Sequence, residues 1–468
     1  MTRIVSVQNA EFDMTFPVVV VGAGGTGLCG ALAAHDAGAD VLVLERDKSP
    51  AGSTGMSTGM IPAAGTLEQA AADIADSPER FVEDIMAKVK GRTDRAFAEL
   101  LARESAETVR WLRDDHGVPL SLMDDWLYPG HSAKRMYGTP NRSGGELMGA
   151  LERAVGDAGI PVLTECVVEC LYQYGDRIVG VGAQRPGGET ESIGCGSLVL
   201  ACSGFGGNPD LVGRLIPEMA GAIYHGHPGN RGDALEWGEA IGAELSDLSA
   251  YQGHGGLAVG HGVPILWPTI TEGGFQVNLD GVRFSNEASG YSEQAALVNA
   301  QPRRLAWTIF DQRCHDLMCN FDDYREALRA GAVLEAEDEA ALASRTGIDA
   351  NALAQTMEQV RRAARGEIAD TWGRDFSGRP ELKAPYFAAR VTGALFHTQG
   401  GLGVDEHARV RRANGGVFPN LYAGGGAARG ISGDGASGYL AGNGLLTATT
   451  LGRLAGAHAG AQHARAGS

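Results

Sequence analysis

The segment Val18–Glu45, VVVVGAGGTGLCGALAAHDAGADVLVLE, constrains the fold more than any other part of the chain. It reads as apolar strand, glycine-rich turn, helix, second apolar strand and acid. Gly22 allows the tight turn, Gly24 lets the backbone approach a pyrophosphate, and Gly27 lets the helix pack closely on the strand. The helix N-terminus offers unpaired N–H groups and a positive dipole end to phosphates. Glu45 ends the second strand 23 residues after Gly22, where a carboxylate can accept both ribose hydroxyls of a dinucleotide. A GxGxxG match alone is weak. With strand, helix and acid all in place, the segment predicts a dinucleotide-binding βαβ unit and an α/β fold.

Length extends this to more than one domain: 468 residues suggest two to four. The 69 glycines are about twice the usual share of roughly 7% and cluster in turns, which suits backbone laid against a large cofactor. A net charge of −18 argues against nucleic acid or an anionic membrane as partner. No segment is long and apolar enough to span a bilayer. The N-terminus, MTRIVSVQNAEFDM, shows no signal-peptide core or twin-arginine pair. The seven cysteines show no CxxC pair and no metal or cluster spacing. These features predict a cytoplasmic protein with no metal and no iron–sulfur cluster.

Along the chain, AGSTGMSTGMIPAAGT (51–66) is too rich in turn formers for a helix. Helices are predicted over 68–90, 94–116, 144–158, 335–346 and 349–365, the last capped by Asp349. A strand over 161–170 leads through Tyr174-Gly175-Asp176 into a hairpin partner over 177–184. SLVLACSGFGGNP (197–209) is a buried strand entering a glycine turn, and 227–245 is a turn and helix. From about Tyr251 short strands alternate with glycine turns, and from Val391 strand–loop–helix patterns return. The simplest architecture is a Rossmann-type cofactor domain built from both ends of the chain, 1–250 and 393–468, with an inserted α+β capping domain, 251–392, that holds substrate.

The ordered set GAGGTG with Glu45, GSTGMSTGMI, ACSGFGGNP, NRGDAL, GVRFSNE, HTQGGLGVD, NLYAGGG and GYLAGNG…GRLAG resembles the flavoprotein family of fumarate reductases, succinate dehydrogenase flavoprotein subunits and 3-ketosteroid dehydrogenases. The resemblance covers almost the whole chain. It implies FAD as cofactor, with NAD a distant second. The AGSTGMSTGMI loop lacks the histidine to which succinate dehydrogenases attach their flavin, which implies non-covalent FAD. Carried over by position, the implied cofactor contacts are Gly22, Gly24, Gly25, Gly27, Glu45, Arg46, Gly52, Ser53, Thr54, Ser57, Gly59, Met60, Val167, Gly204, Asp233, His397, Gly426 and Asn443.

The departures carry the substrate reading. Fumarate reductases place a proton-delivering arginine after RFxNE and a second, carboxylate-clamping arginine in the final loop. Here those positions are Tyr291 and Tyr439. An arginine fork makes two parallel charge-assisted bonds to a carboxylate; a phenol donates one bond to a ketone oxygen, or acts as a base when ionised. Paired tyrosines are the pattern of 3-ketosteroid dehydrogenases. The resemblance therefore implies Tyr291 as the base beside the ketone and Tyr439 as the carbonyl donor, helped by a backbone N–H near Asn443 or Gly444. An acidified α proton and an enolate held by preorganised donors make that chemistry self-consistent. Free tyrosine has a pKa of about 10, so a basic Tyr291 needs help to ionise near neutral pH.

Other positions are less specific. His254 stands where fumarate reductases use a substrate histidine, though a structural hydrogen bond explains a lone histidine equally well. His397 divides between flavin contact and structure, and Tyr137 between cavity lining and core. The family acid of LYAAGE is Gly426 here, with Asp434 a possible substitute. The expected activity is α,β-desaturation of a cyclic ketone, with a separate carrier, quinone or oxygen as electron acceptor. The rivals are an enone reductase and a reductase of an unsaturated acid such as fumarate or urocanate, for which Arg135, Arg142 or Arg283 would have to supply the missing cation. A flavin-binding protein without turnover is the non-enzyme alternative.

Overall fold

Met14–Val21 and Val41–Leu44 pair in parallel, Val18 against Val41 through Val21 against Leu44. Thr190–Leu200 flanks Met14–Val21 on its other side, also parallel. Val417–Ala423 and Val162–Leu163 extend this parallel sheet at its two ends. Val18, Val19, Val20 and Leu200 are wholly buried, as expected of strands covered on both faces. These strands belong to a computed structural model that describes residues 3–9 and 11–464.

Contacts divide the chain into two units: Met1–Ile216 with Gly226–Tyr251 and His397–Ser468, and Pro217–His225 with Gln252–Phe396. The short excursion Pro217–His225 has no counterpart in the sequence reading.

In the first unit, helix Gly25–Asp36 and the closing helix Asn443–Ala461 lie side by side. Glycine makes that approach possible. A Cβ on Gly452, Gly456 or Gly460 would fall 2.4, 2.0 or 2.6 Å from the carbonyl oxygens of Thr26, Gly30 and Ala34. The four-residue step on both helices aligns the three contacts along one face. The 177–184 strand joins the sheet antiparallel to Thr190–Gly194 and forms the expected hairpin with Val167–Tyr174.

Two predicted elements are broken. The expected 68–90 helix is two helices, Leu67–Ala71 and Pro78–Lys88. Thr66 and Gln69 form a capping box on the first, and Ser77 caps Pro78 on the second. Proline disfavours helical backbone in the residue before it, which sets this boundary. The 161–170 strand turns at Glu165 (φ 53°), leaving Val162–Leu163 in the parallel sheet and starting a new strand at Val167.

The second unit is built on Tyr386–Thr398, whose last two residues return to the first unit. Ala306–Asp311 and Val333–Ala336 pair antiparallel to it, and Ile223–Tyr224 pairs parallel near its end. Phe275, Val277, Ile309, Leu342, Leu353 and Ala388 form part of a fully buried core. Asp338 and Asp349 cap helices Glu339–Thr346 and Ala350–Ala364 through bonds of 2.8 and 2.9 Å. The helix expected from 335 starts later because Val333–Ala336 is drawn into the sheet.

Candidate active site

The glycine turn of the first unit has the tight backbone approaches at Gly22 and Gly27 that its spacing implies. Gly22 sits at φ +102°, and a Cβ there would fall 2.6 Å from the Ala201 carbonyl oxygen. A Cβ on Gly27 would fall 1.8 Å from the Gly22 oxygen, so helix and strand approach as only glycine allows. Gly24, the helix N-cap, has nothing within 4 Å of its Cβ position and makes no side-chain cap bond. Gly25 N–H donates to Thr54 Oγ1 at 3.1 Å, tying the 51–66 loop to the turn. Within that loop Ser57 donates to the Thr54 carbonyl (2.7 Å) and accepts from Gly59 N–H (3.1 Å), while Gly52 takes φ +53°. The next residue, Met60, receives the Tyr128 hydroxyl on its sulfur at 2.6 Å.

Glu45 is buried, and its carboxylate accepts the Ala23 N–H (2.7 Å) and the Asp47 N–H (2.9 Å). Cys166 N–H donates to the Glu45 carbonyl, which places Val167 beside the acid. Arg46 donates to the Gly229 carbonyl and ion-pairs Asp233 at 3.5 Å; Asn230 donates to Ser53 at 2.8 Å. Residues 45–54, 167 and 229–233 are thereby gathered at one edge of the turn.

A second cluster in the same unit lies at the closing loop. A Cβ on Gly204 would fall 2.0 Å from Thr398 Oγ1, and one on Gly426 would fall 2.8 Å from Gly204 N and 3.0 Å from Ser203 Oγ. The position of the family acid therefore has no room for a side chain. Asp434 does not replace it: it is exposed and paired with Arg92 at 3.1 Å. Gln399 donates to His397 Nδ1 (2.9 Å) and accepts from Ser432, which also receives the Asn443 amide. Burial pushes the His397 pKa down to about 4, so the ring is neutral with its proton on Nε2. Asn443 is wholly buried at the start of the closing helix, and its side-chain oxygen has no hydrogen-bond partner among the described residues.

Tyr439, in the same loop, is buried. Burial raises its pKa well above the ordinary phenol value, opposed by the N–H groups of Gly444 and Gly442 against its oxygen. It is a neutral phenol across the working pH range. The Gly444 N–H faces this hydroxyl and so polarises it. Sequence reasoning missed Gln399, Ser432, Tyr128 and His131. No motif marks them, although HTQGG contains Gln399.

The second unit carries Tyr291 and His254 in an aromatic cluster. Gly290 takes φ +150°, a backbone conformation that residues with a Cβ rarely adopt, so glycine is what lets Tyr291 open helix Tyr291–Asn299. Gly253 N–H donates to Ser292 Oγ (2.9 Å), fixing this helix start to the strand of His254. The His254 ring lies 5.4 Å from Tyr291, 5.2 Å from Phe396 and 5.7 Å from Trp267, centroid to centroid. Burial, then the charge of His225, push the His254 pKa down to about 3. Gly256 N–H donates to its Nδ1, leaving Nε2–H as the donor of the neutral ring.

The three arginines that could have rescued an acid-binding site are engaged. Arg135 is buried between Asp76 and Asp84. Arg283 is held by Glu287 and Asp370, and Arg142 pairs with Asp125. Tyr137 is core, its hydroxyl on Thr66 and Glu68. Among the described residues there is no group of three metal-binding side chains and no helix long and apolar enough to cross a membrane.

Residues 17–445 match the family model described as FAD binding domain. The chain belongs to this FAD-binding family. A fumarate reductase (cytochrome) of Shewanella frigidimarina is 29% identical over 463 residues, 98% of this chain and 79% of its own. The open conformation of a flavocytochrome c3 fumarate reductase superposes with a TM-score of 0.82 at 28% identity, covering 97% of this chain and 79% of that one. The 3-ketosteroid Δ4-(5α)-dehydrogenase of Rhodococcus jostii RHA1 shares the fold, with a TM-score of 0.77 at 24% identity over 97% and 98% of the two chains.

This flavoprotein is an FAD-dependent oxidoreductase acting on CH–CH groups. Its residues fit the cofactor. The open space over Gly24 suits a pyrophosphate, the positive end of the helix that Gly24 begins suits its charge, and the orphaned Asn443 oxygen awaits a donor.

Proposed function

We propose that this flavoprotein desaturates an uncharged cyclic ketone at its α,β carbons, with non-covalently bound FAD. The observation that carries the reading is the replacement of cationic substrate groups by neutral aromatic ones. The resemblance places Tyr291 and Tyr439 at the two arginine positions of fumarate reductases, and Tyr291 packs against His254 and Trp267, with Phe396 stacked on His254. Arg135, Arg142 and Arg283, the stand-ins weighed for a carboxylate, are committed to acids. A dianionic substrate would meet no compensating charge from these groups, at a heavy desolvation cost.

In this reading Tyr439 donates its hydroxyl proton to the ketone oxygen, sharpened by the Gly444 and Gly442 N–H groups behind it. Tyr291, acting as the phenolate, removes the α proton and becomes the phenol. His254, kept neutral by burial, orients substrate through Nε2–H. Bound FAD supplies the acceptor for the hydride leaving the β carbon. A carrier, quinone or oxygen then takes the electrons.

The sequence relatives favour a second reading, reduction of an unsaturated acid, because the similar Shewanella protein is a fumarate reductase. One anaerobic experiment separates the two. Saturated 3-ketosteroids or cyclohexanones should bleach the oxidised flavin band, and Tyr291→Phe should abolish bleaching with FAD retained. Failure of every ketone, with reoxidation of dithionite-reduced protein by fumarate or urocanate, would replace desaturation by acid reduction.

A further inference from the structure

His131 was not singled out by any motif, yet it joins a buried charge cluster to the loop between Tyr439 and Asn443. Its Nε2 lies 3.0 Å from the Ala441 carbonyl oxygen, and its Nδ1 lies 3.1 Å from Arg135 Nη1. Carbonyl oxygens only accept and guanidinium nitrogens only donate. The two contacts therefore fix one state: a neutral ring, protonated on Nε2, accepting at Nδ1. Arg135 cannot turn away. It is 1% exposed, doubly bonded to Asp76 (2.9 and 2.9 Å), bonded to Asp84, and stacked 4.5 Å above Phe81. Gln69 and Ser132 hold the two carboxylates in turn. Nearby, a Cβ on Gly130 would fall 2.7 Å from the Leu440 side chain, so the 130–131 backbone also abuts this loop.

We propose that His131 is a positioning residue for the carbonyl-donor loop: the Asp76–Arg135–His131 relay clamps Ala441 and thereby fixes the Tyr439 hydroxyl and the Gly442 and Gly444 N–H groups behind it. The proposal rests on the role given above to Tyr439. It also accounts for a buried, over-determined arginine that a simple core would replace with an apolar side chain.

Glutamine is the informative substitute, because its amide can donate to Ala441 and accept from Arg135 as the ring does. Hydrogen exchange of the 439–444 amides in the FAD-loaded protein reads the clamp without any substrate. His131→Ala should speed that exchange by roughly ten- to a hundredfold, the loss expected for one buried hydrogen bond, while His131→Gln stays near wild type. Unchanged exchange in His131→Ala, or equal acceleration in both variants with FAD retained, overturns the proposal.

Flavin perturbation by 4-androstene-3,17-dione and ketone-dependent bleaching then read the link to Tyr439. His131→Ala should weaken both in the wild-type background and add nothing to Tyr439→Phe. Additive losses overturn the proposed link. Normal ketone chemistry in Tyr439→Phe would refute the role of Tyr439 while the exchange result still stands.

Discussion

Gly24 and Gly27 lie three residues apart in one turn, and the structure predicts opposite outcomes for the same added methyl group. At Gly27 the new Cβ would lie 1.8 Å from the Gly22 carbonyl oxygen and 2.9 Å from its carbon. A non-bonded carbon needs well over 3 Å, so either helix Gly25–Asp36 or the turn must move by more than an ångström. Overpacking of this kind costs about 1–3 kcal/mol, at the turn proposed to hold the pyrophosphate. At Gly24 the new Cβ meets nothing within 4 Å, and the backbone (φ −74°, ψ −174°) is ordinary for alanine. The apo protein should therefore gain about 0.4–1 kcal/mol from reduced freedom of the unfolded chain. The methyl group would instead occupy the approach of the pyrophosphate. Losing one charged hydrogen bond there, about 1.5–3 kcal/mol, lowers FAD affinity roughly ten- to a hundred-and-fiftyfold. Thermal denaturation of deflavinated protein and fluorescence titration with FAD separate the two quantities. Gly24→Ala should keep or raise apo stability and lose affinity; Gly27→Ala should lose both. Undiminished FAD affinity in Gly24→Ala would refute the assignment of that open space to the pyrophosphate.

Arg135→Leu strands Asp76 and Asp84 in the interior and should cost about 3–5 kcal/mol in denaturant unfolding; a change below about 1 kcal/mol would show that the cluster is not a buried ion pair in solution. His131, His254 and His397 have pKa values pushed down to about 4, 3 and 4. Above the unfolded value of about 6.5 both states are neutral, and below it only the unfolded chain takes the protons, so stability falls with pH from about 6.5 until the folded values are passed. Each histidine contributes about 1.4 kcal/mol per pH unit in that window, and His254→Phe should flatten the curve of melting temperature against pH; an unaltered slope would contradict its neutral burial. Gly426→Glu, which restores the family acid, should lower FAD content after gel filtration because its Cβ collides with Gly204 N; full FAD retention would mean that the 203–204 turn yields.

Local chemistry wrote the first βαβ unit plainly: an apolar run buried on both faces, three glycines each with a different steric duty, and an acid at the second strand end. The Asp349 cap and the Gly175-Asp176 hairpin were legible for the same reason, since a cap or tight turn is decided within a few residues. The 68–90 break was also written locally, in Ser77-Pro78, but helical periodicity on either side masked it. Strand Val333–Ala336 was not legible, because it is set by pairing with Tyr386–Ala389, distant in sequence. The site followed the same division. Tyr291 and Tyr439 stand out by register against a family pattern, whereas Gln399, Ser432 and His131 take their places from contacts between remote segments. The fate of Arg135, Arg142 and Arg283 depended on partners that no spacing rule identifies.

The glycine seam between Gly25–Asp36 and Asn443–Ala461 has a consequence for how the protein is made. The turn proposed for the pyrophosphate leaves the ribosome well before the helix that completes its support, because the main stretch of the second unit is made between them. At ordinary elongation rates the gap is on the order of tens of seconds. During that interval the Thr26, Gly30 and Ala34 face of the first helix lacks its partner. The turn is therefore braced only once the closing helix has docked, and a chain cut before Asn443 would lack that brace.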